Sequence, residues 1–482
     1  MEMFNLMPAL PEIFLFVMGL ALLVVGAVRE QEGPRIVTPL VVLSLIVALI
    51  LTLGTDPNAG ETFGGHFVFD GLSAFLQVLI LAGAAIAVLL ARPYLVANNA
   101  DRFEYPLLAL FSTLGMCMMA SANSFIALYM AIELLSLPLY VMAAIQRDTL
   151  RSTEAGLKYF VLGALASGLI LYGCSLIYGF TGTLSFDILA TGFSTSEEGL
   201  PLSTGALVGI VFLVCGLAFK LSAVPFHMWA PDVYEGAPTP VTAFLAAAPK
   251  VAAVGVTLRI LYHPFGEWVQ DWQQVVALIA AASMVLGAFA AIGQTNIKRL
   301  MAYSGIGHIG YALVGLSAGN TLGAQAVLVY MAIYLATTLG AFACILMMRR
   351  QGRYVENIHD LQGLSNQQPA IAWMLAAFMW SLAGIPPLAG FMGKYYVFAA
   401  AIDAGLLWLA ILGVLASVVG CYYYLRIIKL MFFDATEDAL DQNDSFALKA
   451  VASLAAIFVA AFLFYPAPLL SMAEAAASIL GS

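Results

Sequence analysis

Charge is what this sequence has least of. Only 10% of its 482 residues are Asp, Glu, Lys or Arg, while 62% are hydrophobic. An average soluble chain is about 25% charged, so a soluble domain is excluded and no nucleic-acid partner is expected. Cysteine is also scarce. The five cysteines (Cys117, Cys174, Cys215, Cys344, Cys421) lie singly in apolar stretches, and none forms a CxxC pair. An iron–sulfur cluster or structural zinc site is therefore not expected. Of five histidines, His227 and His308 alone fall in or near apolar cores, a weak basis for haem. No redox cofactor is expected in this chain. No basic stretch precedes the first apolar run, which is read as a transmembrane helix rather than a signal peptide.

What is abundant is apolar length. Spans of about 20 residues cross a bilayer as helices. The chain holds fourteen, at 8–28, 36–54, 71–91, 105–121, 123–145, 154–179, 206–231, 239–261, 272–293, 300–318, 322–348, 369–402, 405–432 and 447–474. The expected fold is thus an all-α polytopic membrane protein. Of the nineteen Lys and Arg, fourteen fall at cytoplasmic loops and helix ends if the N-terminus lies outside; only Arg259 falls at an outer end. The positive-inside rule then puts both termini on the periplasmic side of a bacterial inner membrane. Two outer loops, Thr55–Asp70 and Thr181–Gly205 (with Glu197 and Glu198), lack basic residues, and an acidic inner segment runs over Asp434–Ser445.

Two spans read as broken. Span 7 carries Pro225, and span 12 has GIPPLAGF (Gly384–Phe391) at its centre. Proline removes a backbone donor, and in lipid the freed groups must face protein or water. Broken helices mark transport sites in many carriers. The breaks are five spans apart, which suggests inverted five-helix repeats of helices 4–8 and 9–13. The units expected are 1–104, 105–265, 266–435 and a C-terminal helix in 436–482. Lys220 to Lys394 is 174 residues and Glu133 to His308 is 175, in loose agreement.

A lysine at the centre of a span costs about 2.5–3.5 kcal/mol on insertion scales. Lys220 and Lys250 lie in apolar surroundings, each near a proline (Pro225, Pro249), and Lys394 lies in span 12. At about 1.5 Å rise per residue, Glu133, Lys250, Lys394 and His308 all fall roughly 12–15 Å deep, near one level. Glu133 is the carboxylate found there, and Lys220 is its natural partner. Lys158 has Glu154 four residues before it, an ordinary helix pair. His227 either joins the path or caps the broken helix, and His308 either joins it or hydrogen-bonds in a packed interface. Proton transfer suits this row. Burial disfavours a charged lysine and a nearby carboxylate favours it again. An ammonium offers no acceptor to Na⁺.

The segments AIELLSLPLYV, FKLSAVPFHMWAPDVYEGAPTPV, AAPK, MAYSGIGHIGY and GIPPLAGFMGKYYVF resemble the antiporter-like membrane subunits of respiratory complex I (NADH:quinone oxidoreductase) over essentially the whole length. The resemblance implies fourteen helices, inverted repeats and breaks in helices 7 and 12. Lys394 stands where subunit M has a glutamate, and the lateral helix of subunit L is absent. It further implies that Glu133 and Lys220 are a coupled pair, Lys250 a central relay and Lys394 the route to the exit, with His227, His308 and Lys158 at neighbouring polar positions. Quinone reduction elsewhere would drive the relay. FMN, iron–sulfur clusters and quinone would belong to other subunits, and the partners would be subunit M, small subunits such as K, and the lipid bilayer. The alternatives are an Mrp-type cation/proton antiporter subunit and a structural spacer.

Overall fold

The structure is a computed structural model that describes residues 5–29, 32–194, 203–435, 440–441 and 445–481. Its elements follow the apolar runs. Helices α1 (Leu10–Val28), α2 (Gly33–Gly54), α3 (Gly71–Ala97), α4 (Glu104–Ala120), α5 (Phe125–Ala143) and α6 (Leu150–Thr181) come first. Then come short α7 (Phe186–Ser194), α8 (Thr204–Leu221), α9 (Trp229–Gly236), α10 (Thr239–Ala246), α11 (Ala248–Tyr262), α12 (Val269–Ile292), α13 (Ile297–Ser317) and α14 (Thr321–Met347). The chain closes with α15 (Leu364–Gln367), α16 (Pro369–Ala383), α17 (Ala389–Asp403), α18 (Leu407–Phe433), α19 (Phe446–Ala461) and α20 (Ala467–Ser478). Among the described residues, ten helical stretches are long and apolar enough to span a membrane. Three shorter apolar helices, α4, α16 and α19, accompany them.

Local chemistry sets the helix ends. Asp70 caps α3 in a capping box with Ser73. Ser124, Asn296 and Asn320 cap α5, α13 and α14 through their side chains, each satisfying backbone donors that have no partner within the helix. Burial then sorts the helices. The apolar window of Thr239–Tyr262 is wholly buried and that of Thr321–Met347 is 94% buried, against 33% for Gly33–Gly54. So α10, α11 and α14 form the centre, and α1 and α2 the periphery. Close approach uses glycine, as is usual between apolar helices. A Cβ on Gly173 of α6 would sit 2.7 Å from the Gly209 carbonyl of α8.

Four expectations change. Span 8 is interrupted at Ala247 (φ −106°, ψ −99°), just before Pro249. Span 14 divides into α19 and α20 around Pro466 and Pro468, which cannot donate to a helix ladder. The first outer loop folds as an antiparallel hairpin of β1 (Gly60–Thr62) and β2 (Phe67–Phe69). The second carries α7, whose Phe186 packs edge-on against Phe125, 4.9 Å between centroids. Glu197 and Glu198 lie outside the described residues.

Candidate functional site: lysines at helix breaks

The break after α8 begins at Ser222, which adopts the left-handed conformation (φ 60°). The helix ladder ends there, so carbonyls at the end of α8 lose their partners. Lys250, one residue after Pro249 on α11, supplies one. Its Nζ donates to Leu221 O at 2.8 Å and to Ser222 Oγ. The same ammonium lies 5.4 Å from the Trp229 ring centroid, and Trp229 Nε1 donates to Phe219 O at 2.9 Å. Val224 N, inside the break, donates to Ser283 Oγ at 2.9 Å. A cation at a helix C-terminus also meets the negative end of the macrodipole.

The second break repeats the device with a different lysine. Gly384 is left-handed (φ 83°) and ends α16. Lys394, on α17 beyond the break, donates to Leu382 O (3.1 Å), Ala383 O (2.9 Å) and Ser417 Oγ (2.8 Å). Its Nζ lies 4.6 Å from the Tyr311 centroid. Both left-handed residues stand three places before a proline, Pro225 and Pro387. Counted from those residues, Lys394 corresponds to Asp232 of α9 and Lys220 to Leu382. The equal spacing of Lys220 and Lys394 noted in the sequence therefore does not pair equivalent positions. Lys220 precedes its break and Lys394 follows its own.

Lys220, at the end of α8, is buried. It donates to Ser136 Oγ at 2.7 Å and lies 3.5 Å from Tyr140 OH. The expected Glu133–Lys220 ion pair is absent: among the described residues no carboxylate lies within 4.0 Å of Lys220. Ser136, three residues on from Glu133 on α5, is one helical turn away and takes the bond instead. Glu133 is half-buried with its Oε1 lacking any hydrogen-bond partner. An aromatic ladder joins the two lysines of this half. Lys220 lies 5.8 Å from the Phe219 centroid, Phe219 stacks on Trp229 at 5.4 Å, and Lys250 lies beyond.

His308 on α13 is buried in a hydroxyl cluster. Nδ1 meets Tyr330 OH at 2.5 Å, Nε2 meets Tyr424 OH at 3.1 Å, and Tyr424 OH meets Ser304 Oγ. Its ring also lies 5.9 Å from Tyr311, which carries Lys394 on its face. His308 and Lys394 therefore share one cluster. His227 lies within the first break, half-buried, with Nδ1 buried and unpartnered.

Lys158 belongs elsewhere. It pairs with Glu154 (2.7 Å), as expected, and also with Asp232 (2.8 Å). Arg299 holds Asp232 (2.7 Å) and Glu235 (3.0 Å), and buried Lys298 holds Glu356 (2.6 Å). Lys158, Glu154, Asp232, Glu235 and Arg299 line a polar cavity of about 180 Å³ at the Lys/Arg-rich end. Tyr159, stacked on Trp229 at 4.4 Å, is adjacent in sequence to Lys158.

At the opposite end, Arg259 makes a bidentate pair with Asp70, both contacts 2.8 Å, and a third bond to Ser73 Oγ. Burial pushes the Asp70 carboxyl up, but Arg259 and the Ser73 bonds outweigh it and hold the group below its usual range. His263 Nε2 meets Asp187 Oδ1 of α7 at 2.8 Å. That bond keeps the Asp187 carboxyl below its usual range.

The sequence reading missed the partners rather than the lysines. Ser136, Ser222 and Ser417 look unremarkable in apolar runs, and Tyr140, Tyr311, Tyr330 and Tyr424 read as packing aromatics. Glu12 was also missed. It is buried near the start of α1, accepting from Gln77 Nε2 at 2.5 Å while Oε2 has no partner. No group of three His, Cys, Asp or Glu placed to hold a metal occurs among the described residues.

A bundle of apolar helices with lysines capping interrupted helices defines a polytopic membrane protein with buried cations. The family model described as NADH:quinone oxidoreductase/Mrp antiporter, TM, matches residues 122–420. The chain is 56% identical over 475 residues to NADH-quinone oxidoreductase subunit N of Rhodospirillum rubrum, covering 98% of this chain and 97% of that one. It is 54% identical over 477 residues to subunit N of Paramagnetospirillum magneticum, covering 99% and 98%. The chain belongs to the NADH-quinone oxidoreductase subunit N family. Among solved structures, a chain of respiratory complex I from Thermus thermophilus is 35% identical with a TM-score of 0.82, covering 96% of this chain and 98% of that one. A chain of the Mrp complex from Dietzia sp. is 23% identical with a TM-score of 0.87, covering 99% and 98%, and shares the fold.

Proposed function

We propose that this chain is a proton-translocating, antiporter-like subunit of a bacterial NADH:quinone oxidoreductase, driven by quinone reduction in other subunits. The observation that carries the reading is the chemistry around the three buried lysines. Each ammonium is held by hydroxyls and carbonyls rather than by a carboxylate. It can therefore lose its proton without stranding a buried counter-charge, which a structural ion pair could not do. In this reading Glu133 and Lys220 load the first half, Lys250 relays, and Lys394 with His308 leads out. Lys220 resting on Ser136, one turn from an unpaired Glu133 oxygen, is then one of two positions, the other being the pair. His227 serves the same path, and Lys158, paired with Glu154 and Asp232, lines its polar mouth.

The ten spans, with α4, α13, the α16–α17 pair and α19, are read as fourteen crossings. Helices 4–8 and 9–13 are then opposed repeats, and both termini are periplasmic. Supporting the repeat is the match of the two breaks, each a left-handed residue followed by proline. Neighbours would be subunit M and small subunits such as K. The Mrp-type alternative rests on the shared fold, whereas subunit N relatives exceed 50% identity over nearly the full length.

The test is NADH-driven acidification of inverted membrane vesicles. Glu133→Ala and Lys220→Ala should each depress proton uptake and coupled electron transfer while leaving the complex assembled. Lys394→Glu sets an acceptor against the Leu382 and Ala383 carbonyls and should lower both stability and proton uptake. Unchanged proton uptake in both alanine variants would overturn the relay.

A further inference from the structure

A groove of about 700 Å³ runs down the outside of the bundle between α2, α3 and α19. Its walls are apolar: Pro39, Val42, Leu89 and Val96 among others. Two prolines inside helices, Pro39 in α2 and Pro93 in α3, stand in its lining. Its mouth lies at the Lys/Arg-rich end, where Arg92 of α3 and Arg349 of the strand after α14 both line it. Among the described residues, no carboxylate lines this groove.

The two arginines stand apart from their paired neighbours. Among the described residues, Arg350, the neighbour of Arg349, is paired with Asp360 at 3.0 Å, and Lys158, Lys298 and Arg299 are all paired with acids. Among the described residues, neither Arg92 nor Arg349 has a carboxylate within 4.0 Å, although Asp101 acts on Arg92 from farther off. Arg349 is nevertheless held in place. Its guanidinium lies 5.1 Å from the Tyr354 centroid, Tyr354 packs on Tyr94 at 4.4 Å, and one amino group donates to Gly352 O at 3.1 Å. Its Nε is buried without a partner. Two guanidiniums without a close acidic partner among the described residues, one of them held in place, complement a phosphate above acyl chains, since arginine matches phosphate oxygens bidentately.

We propose that this groove binds one anionic phospholipid, its headgroup phosphate between Arg92 and Arg349 and an acyl chain along Val42 and Leu89. Basic pockets between helices on the cytoplasmic side are suited to such headgroups.

The test uses the whole complex purified in mild detergent, with diazirine-tailed phosphatidylglycerol as the probe and diazirine-tailed phosphatidylcholine as the control. Adducts are mapped by mass spectrometry. The expected result is preferential labelling of α2 and α3 peptides by the anionic probe. At about 1 kcal/mol per basic residue near the surface, half-saturation should weaken roughly fivefold for Arg92→Ala or Arg349→Ala and about 30-fold for both. Arg92→Lys with Arg349→Lys should retain much of the preference, and intact NADH:quinone reductase activity checks that the variants assemble. Equal labelling by the two probes, unchanged labelling in the double alanine variant, or a groove sealed by another subunit in the intact complex would each overturn the assignment.

Discussion

Lys250→Arg separates the two jobs that the structure gives Lys250. The ammonium satisfies Leu221 O and Ser222 Oγ at the broken end of α8 and lies against Trp229. A guanidinium can still donate to both and stack on the indole. It is larger, and in a helix whose residues are all buried overpacking costs about 1–3 kcal/mol. Lys250→Met removes the donor instead and strands the Leu221 carbonyl, also about 1–3 kcal/mol. The two variants should thus be similarly stable by thermal aggregation of the purified complex. They differ in charge but agree in proton transfer. Unperturbed arginine titrates roughly 2–3 units above lysine, so its neutral form is about 10²–10³-fold rarer. Methionine carries no exchangeable proton. If Lys250 is a relay, NADH-driven proton uptake in vesicles falls about 10²-fold through this subunit in both. If Lys250 is only a cap or a fixed charge, arginine rescues and methionine does not. Normal proton uptake with Lys250→Arg would refute the relay argument.

Other outcomes follow from the same geometry. Asp70→Ala leaves Arg259 buried and unpaired between α3 and α11, which should cost about 3–5 kcal/mol and lower the melting temperature of the purified complex; an unchanged melting temperature would contradict the pairing. Tyr424→Phe removes the hydroxyl that bridges His308 and Ser304 and should slow proton uptake more than it lowers stability, as measured by vesicle acidification beside thermal aggregation. The Asp187 carboxyl is held below its usual range chiefly by His263. Its contribution to the docking of α7 is then fully present above the unfolded value of about 4 and is lost as pH falls through the lower folded value. Hydrogen exchange of 186–191 should accelerate in that acid window, and His263→Ala should move the onset to higher pH.

Much of the site was legible because burying charge in lipid is expensive. Lys220, Lys250, Lys394 and Glu133 stand out of an apolar background for that reason alone, and Pro225 and GIPPLAGF marked two breaks. The break at Ala247 was signalled by Pro249, inside the expected span 239–261, but the apolar run continues through it and was read as one helix. The Glu133–Lys220 pair is not closed in this structure, although Glu133 acts on Lys220 from beyond 4.0 Å. Opposite charges on neighbouring helices invite pairing, yet Ser136 one turn away offers Lys220 an acceptor at 2.7 Å.

The sequence by itself determined the membrane class, the rough placing of the apolar runs, and which charges had to be buried. Hydropathy and the scarcity of charge are local properties, summed along the chain, and need no partner to be read. Only the tertiary structure decided what each buried group touches. Hydroxyls at Ser136, Ser222, Ser417, Tyr330 and Tyr424 carry no hydropathic mark. Whether one ends beside a lysine depends on helix rotation and packing, and so on side chains tens or hundreds of residues away. The same holds for the breaks: proline says where a ladder fails, and only the packed fold says which lysine, Lys250 or Lys394, meets the carbonyls set free.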